Sequence, residues 1–239
     1  MSLRLIVFDW DGTLMDSEAR IVACIQAAFV DIGEPPPPVE AARNVIGLGL
    51  EEAMAMLWPD ADIEARRAVE DRYRTHFLGG NETPSELFPD ARAILSWLDR
   101  RGYRLGVATG KSRRGLDEAL ATTSLDGFFQ ATRCADETRS KPHPEMLLQL
   151  MDELRIAPSE TLMVGDTEYD MEMARNAGVG ALAVAYGVHA RERLLAHRPL
   201  GCLEVLGELP AWLECHDPIP DGQSGPGSGN ERDRREGTT

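Results

Sequence analysis

Lysine is almost missing from this chain. Of 25 basic residues among 239, only Lys111 and Lys141 are lysines, so a lysine near a candidate site is a placed charge rather than background. Cysteine is scarce as well. Cys24, Cys134, Cys202 and Cys215 are scattered and form no CxxC pair. That pattern speaks against a disulfide frame or a zinc site and suits reduced thiols in a cytoplasmic protein. No apolar run approaches the roughly 18 residues of a membrane span. The strand pattern that opens within three residues leaves no room for a signal peptide. Cations are outnumbered, with 40 acidic residues and a formal charge of −15, which argues against nucleic-acid or anionic-membrane partners. An anionic substrate would need local cations to enter such a field. No repeat is present, and nothing in the chain calls for an oligomer, so a monomer is the expected state.

What is present alternates. Leu5-Ile-Val-Phe8 reads as a strand buried on both faces, and similar runs recur at 103–109, 161–166 and 181–187. Between them lie amphipathic stripes: Ala91, Ile94, Leu95, Leu98; then Leu116, Ala119, Leu120; then Met146, Leu150, Met151, Leu154. Strand–helix alternation predicts an α/β fold with a doubly wound parallel sheet, whose ligands sit outside the carboxyl ends of the strands. Residues 17–80 break the pattern with two helical stripes (Ile21, Cys24, Ile25, Ala28, Phe29 and Val69, Tyr73, His76, Phe77) around a proline-rich turn. We read 1–16 and 81–215 as the core, 17–80 as a helical insertion closed by a linker at 79–86, and 216–239 as a disordered tail.

Several strand ends deliver polar groups. The first gives Asp9 and Asp11; the 103–109 strand gives Thr109 and Gly110; the 161–166 strand gives Asp166, with Asp170 four residues on; Lys141 lies in SKPHPE just before a helix. In a parallel sheet these converge on one edge. Two unit charges about 4 Å apart repel by roughly 4 kcal/mol at an effective dielectric near 20, so clustered carboxylates take up protons or a cation. An all-oxygen set suits Mg²⁺, which usually shares its coordination with a substrate phosphate. On this reading Asp9 and Asp166 hold the ion and Asp11 adds its backbone carbonyl. Lys141, the Thr109 hydroxyl and the Gly110 N–H would receive the phosphate. Asp9 is placed to attack phosphorus, forming an aspartyl phosphate, and Asp11 to move protons to the leaving alcohol and from water.

Four segments carrying these residues, DWDGT (9–13), VATG (107–110), SKPHPE (140–145) and GDTEYD (165–170), resemble in order and separation the motifs of the haloacid dehalogenase superfamily. The resemblance spans about residues 3–213. It implies a Rossmann-like core with an inserted α-helical cap and Mg²⁺-dependent hydrolysis of phosphate esters. It implies Asp9 as nucleophile, Asp11 as acid/base, Thr109 and Lys141 as phosphate ligands, and Asp166, supported by Asp170, as metal-holding residues. Dehalogenases of the superfamily lack the second aspartate, so Asp11 points to phosphate chemistry.

Within the superfamily the core segments look most like bacterial phosphoglycolate phosphatases, so a small phosphorylated metabolite is the expected partner and 2-phosphoglycolate the preferred substrate. Inorganic pyrophosphatase and sugar-phosphate phosphatase activities are alternatives. The insertion has no lysine, which counts against a phosphonoacetaldehyde hydrolase and lowers a phosphoglucomutase. A receiver-like phospho-acceptor module would gather similar residues but would have neither Asp11 nor the insertion. An inert binding protein of the same fold is a third reading, set against a complete set of chemical groups. Arg43 is the candidate for a substrate carboxylate or distal anion, against a solvated surface arginine. Lys111 and Arg113 read equally as positive potential at the site or as solvated helix-start residues. His143 reads as a shaper of the Lys141 turn, Trp10 as packed beneath the cap or facing solvent at the cleft mouth, and the methionines of 146–173 as core filler.

Overall fold

The computed structural model describes residues 3–79 and 81–217. Strand β1 (Leu5–Phe8) is followed by the short β2 (Met15–Asp16) and four helices, α1 (Glu18–Asp31), α2 (Val39–Asn44), α3 (Leu50–Leu57) and α4 (Ile63–Gly79). Then come β3 (Glu86–Leu87), α5 (Ala91–Arg100), β4 (Arg104–Thr109), α6 (Arg113–Thr123), β5 (Ala131–Cys134) and α7 (Glu145–Leu154). The chain continues through β6 (Thr161–Gly165), α8 (Glu168–Ala177), β7 (Gly180–Val184), α9 (Arg191–Leu195), β8 (Gly201–Leu203) and α10 (Leu209–His216).

Six strands form one sheet in the order β5-β4-β1-β6-β7-β8, every pairing parallel. This is the doubly wound α/β sheet expected from the alternation. β1 lies between β4 and β6, with Phe8 level with Val107 on one side and Val164 on the other. All three strands therefore end side by side. Strand periodicity divides β1 between two apolar layers. Ile6 and Phe8 join α5, α6 and α10 on one face, while Leu5 and Val7 join α7 and α8 on the other. No β1 side chain reaches solvent, which is why the segment reads as one apolar run.

Helices α1 to α4 gather their own apolar cluster around Ile25, Phe29, Met54 and Val69, joined by Tyr169 and Val188 from the sheet side. The chain enters and leaves this helical block through an antiparallel ribbon, β2 against β3, in which Asp16 pairs with Glu86. Glu86, the last residue of the expected linker, is thus a strand residue.

Two expectations need correction, and two strands went unforeseen. Trp10 neither underlies the helical block nor faces solvent. It is fully buried in the sheet-side core, edge-on to Phe129, because the chain turns inward after Asp9. The folded body also runs past residue 215. His216 ends α10, and Asp217 is buried, its Oδ2 accepting from the Leu3 N–H at 2.8 Å. The rest of the expected tail, 218–239, lies outside the described residues. The unforeseen strands are β5 and β8, edges that are short and have partly open positions. No helix among the described residues is long and apolar enough to cross a membrane.

Candidate active site

The site grows from the turn after β1. Asp9 and Asp11 follow the strand directly, and Gly12 then adopts φ +79°. A Cβ on Gly12 would lie 2.1 Å from Asp166 Oδ2, so only glycine lets this turn pass the end of β6. Leu14 and Met15 close the turn by donating their N–H groups to the Trp10 carbonyl.

Asp9, Asp166 and Asp170 present carboxylate oxygens within 4.8 Å of one another, all buried. Lys141 enters this cluster fully buried, its Nζ 2.8 Å from Asp9 Oδ1 and 2.7 Å from Asp170 Oδ1. Asp9 Oδ1 also accepts from the Trp10 N–H at 2.6 Å, whereas Asp9 Oδ2 is buried without a partner. Asp166 accepts from Thr13 Oγ1 at 2.7 Å and from the Val188 N–H at 2.8 Å. Asp170 Oδ2 accepts from the Thr167 N–H and hydroxyl, and Thr167 caps α8 in return. The helix start thus fixes Asp170, and Asp170 fixes Lys141.

These contacts leave three carboxylates facing one ammonium. Burial, reinforced by Asp170 and Asp166 and opposed by Lys141, raises the Asp9 carboxyl well above its ordinary value. Burial and the Asp170 charge push Asp166 up to about 7, although the Val188 N–H and Thr13 pull the other way. Burial alone would lower Lys141, but Asp170 and Asp9 outweigh it and hold the lysine protonated. The site therefore has too little positive charge for its carboxylates, and the bare Asp9 Oδ2 is an oxygen in want of a cation or a proton. A small divalent ion fits this donor set, with Asp9 and Asp166 holding it and Asp170 committed to Lys141 and Thr167.

Asp11 stands apart. Its Oδ1 accepts from Ser17 Oγ at 2.5 Å and pairs with Lys111 Nζ at 3.0 Å. Its carboxylate is outside the metal-type cluster and lines a cavity of about 420 Å³ between the sheet edge and the helical block. Thr109 is buried at the end of β4, its hydroxyl accepting from the Lys111 N–H at 3.2 Å. Gly110 owes its identity to a close approach: a Cβ there would lie 2.4 Å from the Leu48 carbonyl oxygen. The helical block is closed onto the sheet edge at this point. The Gly49 N–H donates to Ser140 Oγ at 2.7 Å, and Tyr169 donates its hydroxyl proton to the Asn44 carbonyl at 2.7 Å.

Arg43 does not reach the cavity. Its guanidinium lies 2.7 Å from Glu18 and donates to the Val188 carbonyl at 3.2 Å, so it ties the helical block to the loop after β7. Arg113 is engaged with Glu137 and Asp117 away from the carboxylates. His143 accepts from the Glu145 N–H at 3.3 Å, within the turn after Lys141. Lys111, Ser17 and Ser140 are site residues for which sequence reasoning assigned no definite contact. Only Lys111 carried a signal, the scarcity of lysine itself.

The comparisons with known proteins place the chain in a family. Residues 6–184 match the family model of haloacid dehalogenase-like hydrolases, and the chain belongs to that family. Among curated relatives, the "Probable phosphatase IndB" of Dickeya dadantii is 34% identical over 211 residues, covering 86% of this chain and 91% of the relative. A phosphoglycolate phosphatase of Pseudomonas putida is 30% identical over 224 residues, covering 90% and 80%. A crystal structure of a haloacid dehalogenase-like hydrolase from Bacteroides fragilis superposes with a TM-score of 0.81 at 28% identity, covering 87% of this chain and all of that one.

Proposed function

We propose that the protein is an Mg²⁺-dependent phosphomonoesterase that works through a phosphoryl-aspartate. The observation that carries this reading is the fixed Asp9 carboxylate: Lys141 and the Trp10 N–H hold Oδ1 and orient the side chain, while the buried Oδ2 has no protein partner, so the group is not fully spent on protein contacts and can serve both the cation and the phosphorus. The reading places the phosphate against Lys141, the Thr109 hydroxyl and the Gly110 N–H, with in-line attack by Asp9. Asp11, on the cavity side, gives a proton to the departing alkoxide oxygen and later takes one from the water that cleaves the aspartyl phosphate. A bound Mg²⁺ would supply charge neutralisation between the carboxylates and the phosphate oxygens. The closed helical block would keep bulk water from the intermediate.

The substrate is then a small phosphorylated metabolite. The names of several relatives support 2-phosphoglycolate; Arg43, the residue the sequence offered for its carboxylate, is paired with Glu18. Asp9→Asn tests the mechanism. Phosphate release from a phosphomonoester with Mg²⁺ is expected to fall by at least about 10³-fold with the fold retained by circular dichroism. Retained turnover would remove Asp9 as nucleophile.

A further inference from the structure

The cavity above Asp11 is where a leaving group would sit, and its walls are unequal. One side is apolar, built from Ile21 and Ile25 of α1 with Phe77 of α4. Facing the same space from α4 is Glu70, only 7% exposed. Its Oε2 takes an ion pair from Arg74 at 2.9 Å, one helical turn on; no hydrogen bond reaches its Oε1 among the described residues. A carboxylate that lines a cavity, with one oxygen that no protein donor reaches among the described residues, can accept a hydrogen bond from a ligand there.

The charge around it has a sign. Two of the three cations lining the cavity are paired with carboxylates, Lys111 with Asp11 and Arg74 with Glu70 and Asp71, while Arg139 contacts the His143 ring and keeps its charge. Glu51 and Glu52 line it with no cationic partner among the described residues. A second anionic group on the substrate would meet Glu51 and Glu52 as like charge, with Arg139 as the one lining cation not paired to a carboxylate among the described residues. A volume of about 420 Å³ is also generous for a two-carbon acid and lies in the range, roughly 300–1,000 Å³, of pockets that enclose whole ligands.

We infer that Glu70 is a specificity-determining residue that accepts a hydrogen bond from a hydroxyl of the leaving group. The preferred substrates are phosphate esters of neutral, hydroxyl-bearing compounds with an apolar face, the phosphorylated-sugar class, and Glu70 turns away substrates with a second anion. The inference rests on the phosphatase reading above.

Hydrolysis of ribose 5-phosphate and of 2-phosphoglycolate by the full chain with Mg²⁺ tests it, with para-nitrophenyl phosphate as a third substrate. The wild type is expected to favour ribose 5-phosphate by at least ~10-fold in kcat/KM, and Glu70→Gln to shrink that ratio about tenfold, mainly through KM. A ratio of two substrates measured on one preparation is independent of the fraction folded, so partial unfolding of the variant cannot imitate the effect. A wild-type preference for phosphoglycolate, or turnover of para-nitrophenyl phosphate alone, overturns the assignment and leaves the phosphatase reading standing. So does a ratio that Glu70→Gln leaves unmoved. Failure to hydrolyse any of the three overturns the phosphatase reading itself.

Discussion

Lys111 Nζ stands 3.0 Å from Asp11 Oδ1 and 4.4 Å from the centroid of the Phe77 ring. One side chain therefore joins the loop after β1, the start of α6 and the last turn of α4, with Lys111 and Asp11 nearly out of solvent and Phe77 partly buried. Lys111→Met would leave Asp11 with Ser17 as its one remaining partner. Breaking a largely buried pair by removing one member costs about 3 kcal/mol. The expected outcome is a stability loss of that size in urea unfolding. Phe77→Leu should cost less, and the double variant should show a coupling of about 0.5–1 kcal/mol, the range of a cation–π contact. A coupling near zero would mean that the ring and the ammonium are neighbours without energetic consequence.

Gly12 and Gly102 share a left-handed backbone but not a neighbourhood. Their φ values are +79° and +81°, yet a Cβ on Gly12 would lie 2.1 Å from Asp166 Oδ2 while one on Gly102 meets nothing within 4 Å. Alanine at either position should cost about 1–2 kcal/mol of stability from backbone strain alone. Only Gly12→Ala should also displace Asp166, raising the Mg²⁺ concentration for half-maximal activity by about 10–100-fold. Titrating activity with Mg²⁺ in both variants separates the two effects.

The sheet edge was legible in the sequence because its logic is local. An apolar strand followed by acids, repeated at Asp9 and Asp166, marks a buried strand that ends at a ligand, and parallel pairing of neighbouring strands brings such ends together. Lys141 stood out because lysine is rare here. What could not be read depends on which distant segment arrives. Arg43 sits before a flexible-looking glycine stretch, and nothing in the local sequence shows that Glu18 and the Val188 carbonyl would claim it. Trp10 lies between two polar residues, yet the turn at Gly12 rotates it into the core. Strands β5 and β8 are edges that carry Arg133 and partly open positions, so they lack the apolar run that exposed β1 and β6.

Asp217 belongs to the same category, a polar residue whose partner is 214 positions away. Its carboxylate accepts from Leu3 at the entrance to β1, and it lies 3.5 Å from the Tyr103 hydroxyl. Asp217→Ala leaves the partly buried Leu3 N–H without its acceptor and is expected to destabilise the fold by about 1 kcal/mol. Its contact at the entrance to β1, the opposite end of the strand from Asp9, predicts an unchanged KM for any substrate the enzyme hydrolyses. Thermal melting and steady-state kinetics on the same preparation check both halves.

The raised carboxyls give the metal-free protein a pH dependence whose sign can be worked out. Asp166 ionises at about 7 in the fold, because of burial and then Asp170, against 3.8 for the free side chain. Between those values the folded chain keeps a proton that the unfolded chain has lost, so stability from this group is complete below about pH 4 and is lost as pH rises through about 7. Asp9 is shifted in the same direction, again chiefly by burial. With a chelator present, the protein is expected to melt at a lower temperature near pH 8 than near pH 5.5, opposite to the usual loss of stability when carboxylates are protonated. A divalent cation binds the ionised carboxylates and competes with protons for them. Saturating Mg²⁺ should therefore raise the melting temperature more near pH 8 than near pH 5.5. Calorimetry at both pH values, with and without the ion, decides the matter. Equal metal-induced shifts would show that Asp9 and Asp166 are not the groups exchanging protons for the cation.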